Sequence, residues 1–538
     1  MRSSVARDRE VFAPRLALLA ALILLVLLIA AGLYFGRLQN IWIDETTQLS
    51  GMRLPPGRLF AWLAGAPEPF GVPPDRMPPV SYLVDGLCWR TLCATPFDFR
   101  LLHLLIMAAG AAILLWLVAR RYGAVATIAA GALIALNPTA VETAVEIRAY
   151  PIFFTITAVQ LALFFRLAEA PAPPVRPLIG LALAGVLATY THFYGLVSTS
   201  ALFVGLIVAR ARSGRVLAML GGAWAAVLVA ALGILPFIGG AASASHTEIA
   251  PGANPSEILL YFLRLAGNSA MMLAPALAAL YFIALGVLLA LAVIGALAGP
   301  VRPLSRPLGD TAALVIAVAA GIVATLLAAF LVRHFYALKP AYSIWLLPAL
   351  AVLAGAARDP CASGVRRRLA YGATLAMIAA LIPLQMLFLR HAEWFVHGPA
   401  RALEAEVGAA PAETAIVYVD PAWGTAYFPL FYRYRGALAQ FYQARDGLHR
   451  IAMGGDPRTP ALPAAALDRF RHLLVVSVRF GSYRDLNALR AGAPPADLIQ
   501  PPAIDGIGLA PGRWRDAGGV VRPGNYWLRL ARLERDDR

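Results

Sequence analysis

Charged side chains are scarce in this sequence. Asp, Glu, Lys and Arg together make up 14% of its 538 residues, whereas 60% of the residues are hydrophobic. A soluble protein is about one quarter charged, so the composition excludes an ordinary soluble domain. Residues 16–33 and 277–297 contain no charge at all, and about 18 such residues in a row can cross the hydrocarbon core of a bilayer. The chain is therefore predicted to be a polytopic membrane protein.

Apolar runs predict about 11 transmembrane helices, starting near residues 14, 98, 121, 151, 175, 195, 215, 272, 310, 341 and 368. The loops between them alternate between two kinds of sequence. One set carries arginines, at positions 2, 7, 9, 120, 121, 166, 176, 210, 212, 215, 302, 306 and 366–368. Because basic loops face the cytoplasm, we expect a bacterial inner-membrane protein with a cytoplasmic N-terminus and a periplasmic C-terminus.

The net charge of +16 does not predict a nucleic-acid partner. Much of it comes from the arginines of the predicted cytoplasmic loops, and the rest lies outside the membrane, away from any genome. We expect the lipid bilayer itself to be the partner, through anionic head groups or phosphate-bearing lipids.

Cysteine and lysine are also rare. Cys88 and Cys93 lie near the first outward loop, and Cys361 lies in a predicted cytoplasmic loop. A disulfide between Cys88 and Cys93 is one alternative, but residues five apart on a helix point in different directions, so we expect two buried thiols. Lys339 is the only lysine among 46 basic residues, which suggests that its compact ammonium has a role that a guanidinium does not fill.

The outward loops gather carboxylates, histidines and tyrosines. The first begins with Trp42, Asp44 and Glu45, directly after the first predicted span. Two adjacent carboxylates at a membrane surface are suited to general-base catalysis. The alternative is that they meet the positive end of the next helix dipole and only stabilise that helix. The pair alone does not decide between these interpretations.

The second outward loop contains Glu142, Glu146, Arg148 and Tyr150. If this stretch is helical, Glu142 and Glu146 share one face, and Glu146 and Tyr150 also stand four residues apart. Ionisable residues at the end of a membrane helix are costly unless they are paired or hydrated, which favours a functional role. An ion pair between Glu146 and Arg148 that merely fixes the loop is the alternative.

Two further outward loops suggest where a substrate binds. His192 and Tyr194 lie in a short aromatic loop, where the imidazole could contact a phosphate, carry a proton, bind a metal or simply be a buried interfacial residue. A later loop gathers four residues suited to hold a phosphate at the membrane surface: Arg333, His334, Tyr336 and Lys339.

From about residue 390 the chain becomes polar and rich in arginine. Strand-like runs occur at 415–419 and 473–478, and helix-like stretches at 422–445 and 464–471. We therefore predict a transmembrane domain at 1–389, with functional outward loops, and a small periplasmic α/β domain at 390–538.

Together these loops resemble the integral-membrane glycosyltransferases of the GT-C class. The resemblance is to the bacterial family-39 group of protein O-mannosyltransferases, lipid A aminoarabinose transferases and Rgt-type galacturonosyltransferases. The matching motifs are, in order, WIDE at 42–45, PPVSY at 78–82 followed by FRLL at 99–102, EIRAY at 146–150 and THFY at 191–194. The likeness covers roughly residues 14–350 and implies a mainly α, GT-C fold in that region.

The resemblance implies transfer of a sugar from a polyprenyl-phosphate donor to a hydroxyl of a lipid, glycan or protein at the periplasmic face. Asp44 would be the general base of an inverting single displacement, with Glu45 and Glu146 as further catalytic acids. The substrate-binding residues would be Arg148, Tyr150, His192 and Tyr194 of these motifs, together with the basic cluster of the later loop: Arg333, His334, Tyr336 and Lys339.

No cofactor is required, because cationic side chains can stabilise a leaving monophosphate. In the aminoarabinose branch an acidic residue and a lysine precede the Pro-Pro pair, and the acid helps to bind a metal. Arg76 and Met77 stand at those positions here. Neither a metal site nor an aminoarabinose donor is therefore expected.

Two alternatives come from other classes of protein. A transporter or flippase of lipid-linked glycans would use the same basic loops to bind phosphate without a base. Charges at the bilayer midplane and helices broken by Gly or Pro would favour it, but the predicted spans contain few such charges. A scaffold protein that acts through its C-terminal domain is the other alternative.

Overall fold

A computed structural model gives the arrangement of most of the chain. It describes residues 2–66, 77–170, 173–210, 213–244, 267, 269–297, 309–332, 340–357, 364–420, 424–434, 436–451, 460–480, 502, 504–522 and 526–536. Within these residues the chain forms two compact units. One consists of Met1–Gly36 and Arg76–Leu389, and the other of Arg37–Asp75 and Arg390–Arg538.

Helices dominate the described residues. They are α1 (Arg2–Leu38), α2 (Ile43–Gly51), α3 (Pro56–Leu63), α4 (Val80–Thr91), α5 (Pro96–Tyr122), α6 (Ala124–Ala135), α7 (Pro138–Ala144), α8 (Tyr150–Glu169), α9 (Val175–Thr191), α10 (Tyr194–Arg210), α11 (Gly214–Ala231), α12 (Leu235–Ala244), α13 (Pro275–Leu297), α14 (Asp310–Val332), α15 (Leu346–Ala356), α16 (Gly364–Arg390), α17 (Ala400–Val407) and α18 (Gly424–Tyr434).

The described helices account for all the predicted spans. Seven segments are long and apolar enough to cross a membrane, and α6 and α7 pass the same test together although they are bent by 63°. Helices α9, α10 and α15 are shorter but apolar. These segments begin close to the predicted positions, so the predicted polytopic, mainly helical fold is confirmed.

Small residues let the apolar helices approach closely. A Cβ atom on Gly110 of α5 would lie 2.7 Å from the Cα of Thr155 in α8, and one on Gly205 of α10 would lie 2.5 Å from the carbonyl oxygen of Ala313 in α14. Lipid tails are as apolar as leucine, so helices associate in a bilayer through close packing and polar contacts rather than through the hydrophobic effect.

Arg121 links three helices at one end of this unit. It follows the apolar part of α5 and forms ion pairs with Glu169 at the end of α8 and with Asp310 at the start of α14. Its guanidinium also lies 4.3 Å from the ring centre of Phe165. The neighbouring hydroxyls of Tyr122 and Thr311 are 3.2 Å apart. The cluster stabilises the order in which these helices pack.

Cys88 and Cys93 form a disulfide, so the prediction of two buried thiols is wrong. The prediction assumed that both residues lie on one helix. Helix α4 ends at Thr91, and the backbone then folds back so that the N–H groups of both Leu92 and Cys93 donate to the carbonyl of Cys88. The two Cα atoms are therefore only 5.1 Å apart.

The second unit contains a six-stranded sheet with the order β3-β2-β1-β4-β6-β5. Its strands are β1 (Thr414–Tyr418), β2 (Ala439–Ala444), β3 (Gly447–Arg450), β4 (His472–Phe480), β5 (Trp514–Arg522) and β6 (Tyr526–Arg535). The central strand β1 is parallel to β2 and β4, and the other pairings are antiparallel. Helix α18 connects β1 to β2, as parallel neighbours require a crossover.

Both faces of the sheet are covered by apolar side chains. Ile416, Val476 and Leu530 pack under α17 and α18, whereas Val417, Val475 and Leu533 belong to a second core on the opposite face. These residues alternate in sequence because successive strand side chains point to opposite faces. The predicted α/β class of this part is confirmed.

The predicted elements of the sheet unit were partly misplaced. Strands β1 and β4 occur where they were expected, but the predicted helix at 422–445 ends at Tyr434 and is followed by β2. Residues 464–471 contain one short 3₁₀ turn, Ala464–Leu467. The unit also includes residues 37–75, which the predicted division placed in the transmembrane domain. The prediction assumed that residues close in sequence belong to one domain. Gln39 and Asn40, however, contact residues about 360 positions later in the chain.

Candidate active site

Asp44 and Glu45 lie in the first turn of α2. The N-cap residue, Trp42, makes no side-chain capping hydrogen bond, and the two carboxylates lie at the positive end of the helix dipole. Glu45 is completely buried and the following residues of the helix are buried too, whereas Asp44 keeps part of its surface exposed. Of the two acids, Asp44 is therefore the one that a substrate can reach.

The motif at 146–150 forms a non-helical turn between α7 and α8. Helix α7 starts at Pro138, after Asn137 accepts a hydrogen bond of 3.0 Å from the N–H of Thr139, and it ends at Ala144. The expected common helical face of Glu142 and Glu146 is therefore absent, since only Glu142 is on that helix. The turn holds Glu146, 7% exposed, and Arg148, 1% exposed, and Tyr150 begins α8.

Arg100 fixes the start of this turn. It is 2% exposed on α5, and its Nη1 donates to the carbonyl oxygen of Val145 at 2.8 Å. Arg100 belongs to the FRLL motif at 99–102, but it was not among the predicted site residues. A buried arginine in an apolar helix is a signal that could have identified it.

His192 lies among aromatic rings in the same unit. Its ring stacks on Phe153 with centres 5.3 Å apart, and the rings of Tyr150, Tyr194 and Tyr342 lie 5.2 to 5.9 Å from it. The N–H of Tyr194 donates to Nδ1 of His192 at 3.1 Å. An imidazole that accepts at Nδ1 carries its proton on Nε2, so Nε2 is the donor atom of the His192 ring.

Tyr342 was missed by the sequence analysis, although it follows the predicted basic cluster by three residues. It lies in the 3₁₀ turn Pro340–Ser343, and its ring centre is 6.1 Å from that of Tyr150. The predicted phosphate cluster itself lies outside the described residues: Arg333, His334, Tyr336 and Lys339. Arg76, which bears on the expected absence of a metal, also lies outside them.

Asp85 and His103 form a buried pair that was not predicted from the sequence. Asp85 on α4 and His103 on α5 are both completely buried, and Oδ1 of Asp85 is 2.7 Å from Nε2 of His103. His103 lies one helical turn after Arg100, so α5 presents two buried polar side chains towards the outward loops. Within the part of the chain that is described, no three His, Cys, Asp or Glu side chains lie close enough to hold a metal ion.

Comparison with solved structures gives the same fold for nearly the whole chain. The crystal structure of ArnT from Cupriavidus metallidurans bound to undecaprenyl phosphate superposes with a TM-score of 0.51 at 14% identity, covering 95% of this chain and 97% of ArnT. The apo structure gives a TM-score of 0.51 at 13% identity, covering 98% of each chain. The chain has the ArnT fold.

ArnT is an aminoarabinose transferase of the GT-C class, so the resemblance stated from the loop motifs is confirmed at the level of the fold. No family model matches the sequence, and no curated protein does. The likeness to ArnT therefore concerns the architecture of the chain.

Proposed function

We propose that this protein is a membrane glycosyltransferase that moves a sugar from a polyprenyl-phosphate donor to an acceptor hydroxyl on a lipid, glycan or protein. The observation that carries the proposal is the acid pair on α2, directly after the first apolar helix, in a chain with the ArnT fold. The lipid class of the donor follows from ArnT, whose structure was solved with undecaprenyl phosphate. The buried turn at 146–150 and the His192 aromatic cluster supply the polar and aromatic surfaces that such a substrate needs.

The reaction is an inverting single displacement. Asp44 removes the proton from the acceptor hydroxyl while the hydroxyl oxygen forms a bond to the anomeric carbon of the sugar. The bond between that carbon and the phosphate oxygen breaks, and the phosphate leaves with the electron pair. Asp44 takes this role because it is partly exposed, whereas Glu45 is buried beside it. A general base contributes typically about 10² to 10⁴ in rate.

Charge on the leaving phosphate is stabilised by cations and hydrogen-bond donors. Arg148 and the Nε2–H of His192 are such donors, and Tyr150 and Tyr194 flank the imidazole. Arg333, His334, Tyr336 and Lys339 are assigned to the same anion from the sequence. Glu146, in the turn that Arg100 holds, is assigned as a further catalytic acid from the sequence. Donors that are fixed before the reaction need no reorganisation as charge develops.

The Cys88–Cys93 disulfide supports the predicted orientation. Disulfides persist in the periplasm but not in the reducing cytoplasm, and this one lies between the first and second apolar helices. The loop that follows α1 is then periplasmic and the N-terminus is cytoplasmic. In this proposed orientation, the acid pair and the C-terminal unit face the periplasm from a bacterial inner membrane.

Mass spectrometry of glycolipids and glycoproteins from a deletion strain tests the function. We expect one saccharide to be lost, restored by the wild-type gene and not restored by Asp44→Asn. Glu413→Gln, which removes an exposed carboxylate in a turn of the sheet unit, is the matched control and should restore it fully. Full restoration by Asp44→Asn contradicts the proposed base and favours a transporter, which needs phosphate-binding loops but no base.

A further inference from the structure

Helix α2, which carries Asp44, has only nine residues. Isolated helices shorter than about 12 residues are marginal in water, and the N-cap residue of α2, Trp42, makes no side-chain capping hydrogen bond. Its position and orientation therefore depend on what it packs against. Within the second unit, those partners are residues of the C-terminal segment, Arg390–Arg538.

The first contacts precede the acid pair. The side-chain Oε1 of Gln39 accepts a hydrogen bond of 2.7 Å from the backbone N–H of His397, and Nδ2 of Asn40 donates to the carbonyl of Gly398 at 2.5 Å. Trp42, two residues before Asp44, stacks on the His397 ring with centres 4.7 Å apart and planes 23° apart. The direction in which α2 begins is thus set by residues 397 and 398.

The second contact follows α2 directly. Arg53 donates from Nη2 to the hydroxyl of Tyr432 at 2.8 Å, and its guanidinium lies 4.9 Å from the centre of that ring. Tyr432 is on α18, which packs against α2. Its phenol, which is protonated at neutral pH, offers Arg53 a lone pair beside a π face, and burial raises the pKa of Tyr432 further, to about 12.

We propose that the C-terminal domain is a positioning element for the catalytic base, acting on α2 through His397 before the acid pair and through Tyr432 after it. The inference rests on the proposed function, because it assigns a role relative to Asp44. It gives the domain a part in the reaction although neither residue needs to touch the substrate.

The expected effect follows from how sharply rate depends on geometry. A misplacement of about 1 Å can cost about 10²-fold in rate. His397→Ala removes the ring on which Trp42 stacks, and Tyr432→Ala removes the hydroxyl and the ring that Arg53 contacts. We expect each to lower kcat about 10- to 100-fold with the KM for the donor unchanged, because the donor is held by other residues.

The assay uses the purified full-length protein. The donor is the fraction of wild-type membranes that contains sugar-linked polyprenyl phosphate, and the acceptor is the glycolipid and glycoprotein fraction of the deletion strain. His397→Phe and Tyr432→Phe keep the rings and should recover most of the rate. Tyr434→Phe is the matched control, since it removes a hydroxyl from the same helix two residues away. It should match wild type.

A combination with Asp44→Asn separates positioning from general stability. Residues that act through one group lose their effect when that group is removed. Tyr432→Ala should therefore reduce the residual activity of Asp44→Asn no further. If Tyr432→Ala lowers the activity of Asp44→Asn by the same factor as it lowers that of wild type, the positioning role is wrong. It is also wrong if the loss is explained wholly by a smaller amount of folded protein. The assignment of Asp44 as the base stands in both cases. Wild-type activity of Asp44→Asn overturns the proposed function instead.

Discussion

The buried Asp85–His103 pair should stabilise the packing of α4 against α5. Neither side chain is exposed, and the ring nitrogen and the carboxylate oxygen are 2.7 Å apart. His103→Phe keeps a ring but removes this donor, and Asp85→Asn keeps the shape but removes the charge. Breaking a buried pair costs about 3 to 5 kcal/mol in soluble proteins, and polar contacts in membrane proteins contribute less. We expect each single substitution to cost about 2 to 3 kcal/mol.

The measurement is a double-mutant cycle on the free energy of unfolding in mixed micelles. The double variant should be less destabilised than the sum of the single variants, with a coupling energy of about 1.5 kcal/mol or more, because each single substitution already removes the interaction. The surface pair Asp446 and His449, 3.0 Å apart with the Asp446 side chain 71% exposed, is the control. The same cycle there should show no measurable coupling, since water replaces the lost partner.

Additive effects at Asp85 and His103, within about 0.5 kcal/mol, would refute the reasoning. They would mean that the two buried side chains are stabilised separately, each by other groups. The pair would then have no part in joining α4 to α5.

Two further predictions concern the packing of the helical unit and its covalent link. When the denatured chain is treated with a thiol-alkylating reagent, it should take up one alkyl group, on Cys361, before reduction and three after it, because Cys88 and Cys93 are joined. Mass spectrometry that finds three alkyl groups without reductant contradicts the disulfide. Arg121→Gln removes two ion pairs and should lower the free energy of unfolding by about 1 to 2 kcal/mol. This value is small because Glu169 is exposed, and exposed ion pairs contribute little. The kcat per folded molecule should not change. The exposed neighbour Arg120 is the control, and equal destabilisation by Arg120→Gln would show that position rather than pairing matters.

The apolar helices could be predicted because their signal is local. An uninterrupted apolar run of about 18 residues has few interpretations other than a span. The predicted starts near 14, 98, 151 and 310 agree with apolar spans that begin at Arg15, Pro96, Tyr150 and Asp310. The central strands β1 and β4 were found for a similar reason: each is a short apolar run buried on both faces. Strands β5 and β6 were missed because arginines interrupt their pattern.

The site was only partly predictable, because it depends on where helices end and on distant contacts. Nothing local shows that α4 ends at Thr91, which brings Cys93 back to Cys88, or that α7 ends before Glu146. The hydrogen bond from Arg53 to Tyr432 spans 379 positions. Asp85 and His103 could have been suspected, since ionisable residues in apolar helices are expensive unless they have a function.

The division of the second unit has a consequence for biosynthesis. Residues 37–75 leave the ribosome early, but the segment they pack with begins only at Arg390, roughly 300 residues later. At synthesis rates of about 5 to 20 residues per second, that interval lasts about 15 to 60 s. During it, α2 and its acid pair are outside the membrane helices without their partner. Ribosome-bound chains that end before Arg390 should therefore insert their first helices and yet have no transferase activity, and the enzyme becomes active only when its last domain is made.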